Sequence, residues 1–266
     1  MSAPRPLLRA AIQAYCKAYQ VDLDEYEIPE GGFQTFDDFF TRRLKPNSRP
    51  IDSDPEAVLS PADGRLEDAG VIEVSSTLRI KGRNYSVSEL LEDRFASTLY
   101  AGGQFAVVYL SPRDYHRVHA PVSGPVRLVR HVPGTLFPVN AIGLRHIPRL
   151  FARNERVVVE QGTSDHGPVS TVLVGAIGVG RISVSFEPQV ITNDGRSCGE
   201  IVFGAGTSPE LERGGELGAF HLGSTVIVFV GPSSGLTLVK RPGDHVRCGE
   251  ALWRRQPSSR SPRVPT

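Results

Sequence analysis

From Val58 onward the apolar residues of this chain come in short runs broken by Gly, Pro and Asp, and that punctuation limits what it can fold into. The runs are Phe105–Leu110, Val126–Val132, Arg156–Glu160, Ser170–Ile177, Arg181–Phe186, Ser224–Val230 and Gly235–Lys240. Runs of this length between turn residues suit strands and are too short for packed helices. The 27 glycines and 21 prolines supply the turns. Only Val87–Phe95 reads as helical inside this region, with Ser86 or Ser88 as its cap. Two helices are predicted ahead of it. Residues 6–20 gather Leu7, Leu8, Ala11, Ile12, Tyr15, Ala18 and Tyr19 on one face. Residues 35–44 offer Thr35 as N-cap, Asp37 and Asp38 in the first turn, and Arg42 and Arg43 in the last, before Pro46 and Pro50. The expected fold is α+β and mostly β: antiparallel sheets in a sandwich/barrel-hybrid core with short N-terminal helices. The expected division is a helical, membrane-associating region 1–50, a β-rich catalytic domain 51–255 and a disordered tail 256–266.

Composition narrows the function. With 30 Lys+Arg against 29 Asp+Glu, the net charge of +1 lacks the basic excess of a nucleic-acid binder. Hydrophobic residues at 39% argue against wholesale disorder. No stretch approaches the roughly 18 apolar residues of a membrane span, and charge breaks the N-terminus too often for a signal core. A place on the cytoplasmic side is therefore expected. Cys16, Cys198 and Cys248 form no CxxC pair, which suits a reducing compartment and gives no zinc ribbon. The first twenty residues carry Arg5, Arg9 and Lys17 and no acid. Such a helix either lies in an anionic lipid interface or packs on its own domain.

Three segments offer chemistry. In 109–121, His116 and His119 sit three apart beside a strand end, and imidazole moves protons near neutral pH. In 59–65, Asp63 precedes Gly64; this is ordinary turn chemistry unless the fold brings the carboxylate to a histidine, which it would orient. In 214–226, Gly223-Ser224 stands just ahead of an apolar strand. A deprotonated Ser224 there is placed to attack the preceding carbonyl. Segments 120–126 and 243–252 share the hairpin grammar of biotinyl and lipoyl carrier domains, without the modified lysine.

Taken together, FDDFFTRRLKPNSRPID, SPADG, KGRNYSVSELL, YLSPRDYHRVHAP, LFPVN, NERVVV, VGAIGVGRI and LGST, in this order and spacing, resemble the phosphatidylserine decarboxylase family from about Phe36 to Leu252. The resemblance implies a pyruvoyl cofactor made from the backbone, with no metal. Ser224 attacks Gly223, the ester eliminates to dehydroalanine, and hydrolysis leaves an N-terminal pyruvoyl group. The products are a β chain 1–223 and an α chain 224–266. It further implies a self-cleavage triad of Asp63, His119 and Ser224, with His119 as base. Decarboxylation then proceeds through a Schiff base to the serine headgroup, with His116 as proton donor and Val139 touching the headgroup. The implied partners are a phospholipid substrate, the cytoplasmic face of the cell membrane, and a second copy in a homodimer of αβ units; no nucleic acid is implied. Such a substrate favours the interfacial reading of residues 6–20, with Arg42, Arg43 and Lys45 adding attraction to anionic lipid. Three rivals remain: a pyruvoyl decarboxylase of another serine lipid or of an amino acid, a non-catalytic carrier-like β module, and a metal hydrolase using His116 and His119.

Overall fold

A computed structural model describes residues 5–139, 141–177, 181–193, 199–204, 206–221, 224–232 and 235–255, with the backbone alone for Ala141 and Ser224. Gly223, Asn140, Cys198 and the 256–266 tail lie outside these.

The body is mostly β. Its core sheet has nine strands, antiparallel at every pairing. The order is Glu200–Val202, Gly124–Val132, Arg156–Thr163, Gly167–Val174, Ser224–Val230, Gln104–Leu110, Gly64–Val71 and His245–Val246, with Glu210–Leu211 also beside Gly124–Val132. Ser224–Val230 is interior, zipped to Gln104–Leu110 on one side and Gly167–Val174 on the other. Val226, Ile227, Val228, Phe229 and Val230 are all fully buried. An unbroken apolar run is what a strand covered on both faces requires.

Among the described residues two three-stranded sheets and a hairpin accompany the core sheet. One sheet orders Ile182–Val184, Glu216–Phe220 and Arg117–His119; the other orders Val58–Leu59, Ala251–Arg255 and Leu236–Leu238. Among the described residues no sheet closes into a barrel. Glu216–Phe220 belongs to a small sheet and Ser224–Val230 to the large one, so the chain changes sheets between Phe220 and Ser224.

The first helix, α1 (Arg5–Tyr19), buries Leu8 and Ile12 against Phe39 and leaves Leu7 and Tyr19 exposed. The second, α2 (Phe36–Phe40), begins as expected. Thr35 Oγ1 accepts from the Asp38 amide at 3.0 Å while the Asp38 carboxylate accepts from the Thr35 amide at 2.9 Å. It stops well short of residue 44, so Arg42 and Arg43 lie beyond it. Arg42 is buried, its guanidinium 4.2 Å from the Tyr26 ring centroid and donating to the Arg113 and Asp114 carbonyls. An aromatic face and fixed carbonyls replace its water, so Arg42 offers no charge to lipid, against expectation. The expected 87–95 helix is shorter, Val87–Leu91, ended at Glu92 with φ +50°, and a further short helix, Ala96–Tyr100, follows it unexpected. Ala141–His146 and Leu150–Arg153 were not expected; each is too short to display a helical period.

Candidate active site

His116 and His119 flank the strand Arg117–His119, which pairs with Glu216–Phe220. The ladder sets His119 opposite Glu216, and the His116 carbonyl accepts from the Phe220 amide at 2.9 Å. Both histidines therefore stand against the strand that leads to Ser224. His116 is fully buried, its ring centroid 4.0 Å from that of Phe40. Its Nδ1 donates to the Asp114 carbonyl at 2.8 Å, so Nε2 carries the lone pair, and that buried atom has no partner. Burial, helped by the Arg42 charge and opposed by the Asp114 carbonyl, pushes its pKa down to about 3. Neutral His116 is thus a proton acceptor, and a donor only after it has taken a proton.

His119 is held at both nitrogens. Nδ1 donates to the Gly214 carbonyl at 2.8 Å, which leaves Nε2 to accept from the Tyr115 hydroxyl at 3.0 Å. Burial lowers its pKa, against the pull of the Gly214 carbonyl, Glu216 and Asp63. A neutral imidazole with a lone pair on Nε2 is the form a base needs. Gly214 is required where it stands: its φ is +79°, and a Cβ there would lie 2.3 Å from Ile51 Cδ1.

Asp63 is close enough to His119 to act through space, but its hydrogen bonds go elsewhere. Arg49 Nε reaches Oδ1 and Oδ2 at 3.1 and 3.0 Å, Arg49 Nη2 reaches Oδ2 at 2.6 Å, and the Cys248 amide donates to Oδ1 at 2.8 Å. No hydrogen bond between Asp63 and His119 occurs among the described contacts. Arg49 meets this buried carboxylate with a two-toothed cation.

Ser224 opens its strand opposite Leu110. Leu110's chain neighbours Tyr109 and Ser111 line a cleft of about 390 Å³ together with Arg65, Arg113, Val139 and His245. Val139 thus borders a cavity at the amino end of the Ser224 strand. The Ser224 side chain and Gly223, and with them the pairing of Ser224 with His119 that the resemblance implies, lie outside the described residues.

The sequence reading missed Arg49, Tyr115 and Gly214, the immediate partners of Asp63 and His119. It also missed a second constellation. His221 Nδ1 lies 2.8 and 2.9 Å from the two Asp37 carboxylate oxygens, and His221 Nε2 lies 3.0 Å from Ser183 Oγ. Arg181 Nη2 donates to Asp37 Oδ2 at 3.0 Å. The only signal was His221 itself, three residues before Ser224. Among the described residues no group of three or more His, Cys, Asp or Glu is placed to hold a metal ion.

A family model described as phosphatidylserine decarboxylase matches residues 36–254. A protein of Brevibacillus brevis named phosphatidylserine decarboxylase proenzyme is 42% identical over 85% of this chain and 80% of its own length. One of the same name from Bordetella pertussis is 42% identical over 91% of this chain and 82% of its own. Another, from Xanthomonas campestris pv. campestris, is 43% identical over 92% and 87%.

Proposed function

We propose, for a chain that belongs to the phosphatidylserine decarboxylase family, that it is a proenzyme which cuts itself between Gly223 and Ser224 and then converts phosphatidylserine to phosphatidylethanolamine. The observation that supports this reading is the approach of the histidine segment to the chain leading into Ser224: the His116 carbonyl accepts from the Phe220 amide, His119 stands opposite Glu216, and the neighbours of Leu110, the strand partner of Ser224, line the cleft that Val139 borders.

In the first reaction His119 Nε2 takes the Ser224 hydroxyl proton and the oxygen attacks the Gly223 carbonyl carbon. A C–O bond forms, the C–N bond breaks, and the imidazolium returns its proton to the departing nitrogen, leaving an ester. Asp63 favours the transient imidazolium by its charge, working through space from its seat on Arg49. Loss of the Cα proton of residue 224 with its Cβ–O bond expels the Gly223 carboxylate and leaves dehydroalanine, whose imine tautomer adds water and releases ammonia, leaving a pyruvoyl group on the shorter chain. That chain stays bound, because its strand Ser224–Val230 runs between two strands of the 1–223 piece.

The pyruvoyl group supplies an electron sink for loss of carbon dioxide. The residues around Ser224 fit it: His116 Nε2 is a buried lone pair with nothing to accept from, and the cleft is roomy enough for a headgroup. His116 takes a proton from the substrate ammonium and returns it to the carbon that lost carbon dioxide. Val139 walls the headgroup; the cleft also holds Arg65 and Arg113, each paired with an acid of the same lining, Glu67 and Asp114.

A lipid substrate places the enzyme on a bilayer. No helix among the described residues is long and apolar enough to cross one. The exposed Leu7 and Tyr19, with Arg5, Arg9, Lys17, Arg43 and Lys45 on the surface, suit peripheral attachment. Pairing of αβ units as homodimers is carried over from the family resemblance.

Intact-mass analysis of purified protein tests the first reaction. Two pieces, 1–223 and a carbonyl-capped 224–266, are expected, and Ser224→Ala should remain whole. Product analysis with phosphatidylserine, free serine and free tryptophan tests the second. Turnover of an amino acid but not the lipid would replace the substrate while leaving self-cleavage intact.

A further inference from the structure

We propose that Asp37, His221 and Ser183 form a clamp that holds the amino side of the Gly223–Ser224 bond in place for self-cleavage, and so couples maturation to the docking of α2. The inference rests on the self-cleavage reading and adds to it a positioning device.

The argument begins with the crossing between sheets. Downstream of the bond, Ser224–Val230 is fixed by two ladders. Upstream, the small sheet ends at Phe220, and the next residue is His221. His221 is tied by its own backbone, its amide donating to the Arg181 carbonyl at 2.8 Å, and by both ring nitrogens. Its tautomer follows from charge. Nδ1 lies 3.0 Å from Arg181 Nη2 as well as 2.8 and 2.9 Å from the two Asp37 oxygens; the two nearer carboxylate oxygens outweigh the one guanidinium contact, so Nδ1 carries the proton and donates to Asp37. Nε2 then accepts from the Ser183 hydroxyl. Arg181 serves the second Asp37 oxygen. Three separate pieces of chain meet at one ring: α2 through Asp37, strand Ile182–Val184 through Ser183, and the entry to the scissile bond through His221.

The chemistry of the bond explains the need. Attack by a side chain on its own preceding carbonyl requires that carbonyl to be turned toward it, and an error of about 1 Å in such placement can cost on the order of 100-fold in rate. Anchors at His221 and along the Ser224–Val230 ladders fix both ends of the link that carries the bond. His221 touches neither reacting atom by this account and acts as a positioning residue. Because Asp37 comes from α2, a chain whose α2 has not packed lacks one jaw of the clamp and matures slowly.

The test follows the appearance of the 1–223 and 224–266 pieces in the full-length precursor, with stability measured in parallel on the same variants carrying Ser224→Ala. Asp37→Ala and His221→Ala should each slow cleavage by roughly 10- to 100-fold. The Asp37→Ala/His221→Ala double variant should be no slower than the slower single, since both break one unit. Asp37→Asn keeps an oxygen to accept from Nδ1 and should stay within about threefold of wild type. Melting temperatures should barely change for Asp37→Ala, whose side chain is 41% exposed, so a rate loss there is not a folding loss. If His221→Ala lowers stability strongly, the Asp37 pair decides the matter. Wild-type cleavage with Asp37→Ala keeping pace, or Asp37→Asn as slow as Asp37→Ala, overturns the clamp alone. A wild-type chain that stays whole overturns the self-cleavage reading and the clamp with it.

Discussion

Asp63 and Asp37 each stand near a histidine beside the strand that leads to Ser224, and they behave differently. Asp63, with a side chain only 6% exposed, spends its oxygens on Arg49 and the Cys248 amide and influences His119 from a distance. Asp37, with a side chain 41% exposed, bonds His221 directly while sharing Arg181. The difference is one of solvation. At Asp63 the guanidinium, a full charge with several donors, outcompetes a neutral imidazole; buried Glu155, by contrast, is satisfied by His131 Nε2 at 3.0 Å and Asn193 Nδ2 at 2.8 Å. A carboxylate that keeps part of its water can accept from an imidazole without further compensation. Around the Ser224 strand the direct pair is the half-exposed Asp37–His221 and the buried Asp63 is held by arginine, whereas away from it Glu155 and His131 make a direct pair that is buried.

The largest effect that could break this comparison is loss of the base. His119→Ala should slow self-cleavage by about 10²–10⁴-fold, the usual worth of a positioned general base, read as persistence of the uncut band. His116→Ala should still split, while the split enzyme fails to release carbon dioxide from phosphatidylserine. An uncut His116→Ala chain would move the base from His119 to His116, whose carbonyl is bonded to the Phe220 amide, four residues before Ser224.

Next comes stability, where the two carboxylates should separate sharply. In the Ser224→Ala background, Asp63→Asn leaves Arg49 without its buried anion and should cost about 3–5 kcal/mol in denaturant unfolding. Asp37→Asn removes a half-exposed charge and should cost less than about 1 kcal/mol. Equal losses at the two positions would mean that burial is not what divides them.

These contrasts also mark what the sequence could and could not display. The central strand was legible to the residue: Ser224–Val230 is an unbroken apolar run after a glycine, and the strand has those bounds. So was the start of α2, because Thr35 and Asp38 are a local capping pattern. His116, His119, Asp63 and the Gly223-Ser224 pair stood out because imidazole, carboxylate and hydroxyl announce their chemistry by type. Partnership was not legible. Arg49 lies 14 residues from Asp63, and Asp37 lies 184 from His221; no period or motif connects such positions. Arg42 shows the same limit from the other side. By type it belonged to a basic surface, yet the fold buried it over Tyr26.

A smaller effect concerns acid. Burial depresses the pKa of His119 and, despite its Asp37 bond, of His221. For a histidine whose folded value is lowered, the unfolded chain binds the proton more readily. The associated stability is therefore whole above the ordinary value near 6.5 and is lost as pH falls through the folded value. Self-cleavage should follow His119 in the same direction, holding steady from pH 8 to about 6.5 and declining only below it. A pH-jump series on freshly made precursor measures this. A rate that climbs as pH falls would make imidazolium the active form and remove the base assignment.

The smallest expected effect bears on the hydroxyl that already occupies the base. Tyr115 donates to His119 Nε2 at 3.0 Å, the atom that must receive the Ser224 proton, and burial keeps the phenol protonated by raising its pKa. A donor resting on that lone pair competes with Ser224 for it. Tyr115→Phe removes the competitor and should speed self-cleavage by about threefold, the scale of one net hydrogen bond at the weak end of its range. The same change leaves the Gly214 carbonyl holding Nδ1, so the tautomer stays set. If Tyr115→Phe instead slows cleavage tenfold or more, the phenol is a relay between serine and imidazole. Asp63 would then be assisting a proton path with two carriers, and His119 would differ from His221 in having a hydroxyl partner that reacts rather than one that only holds.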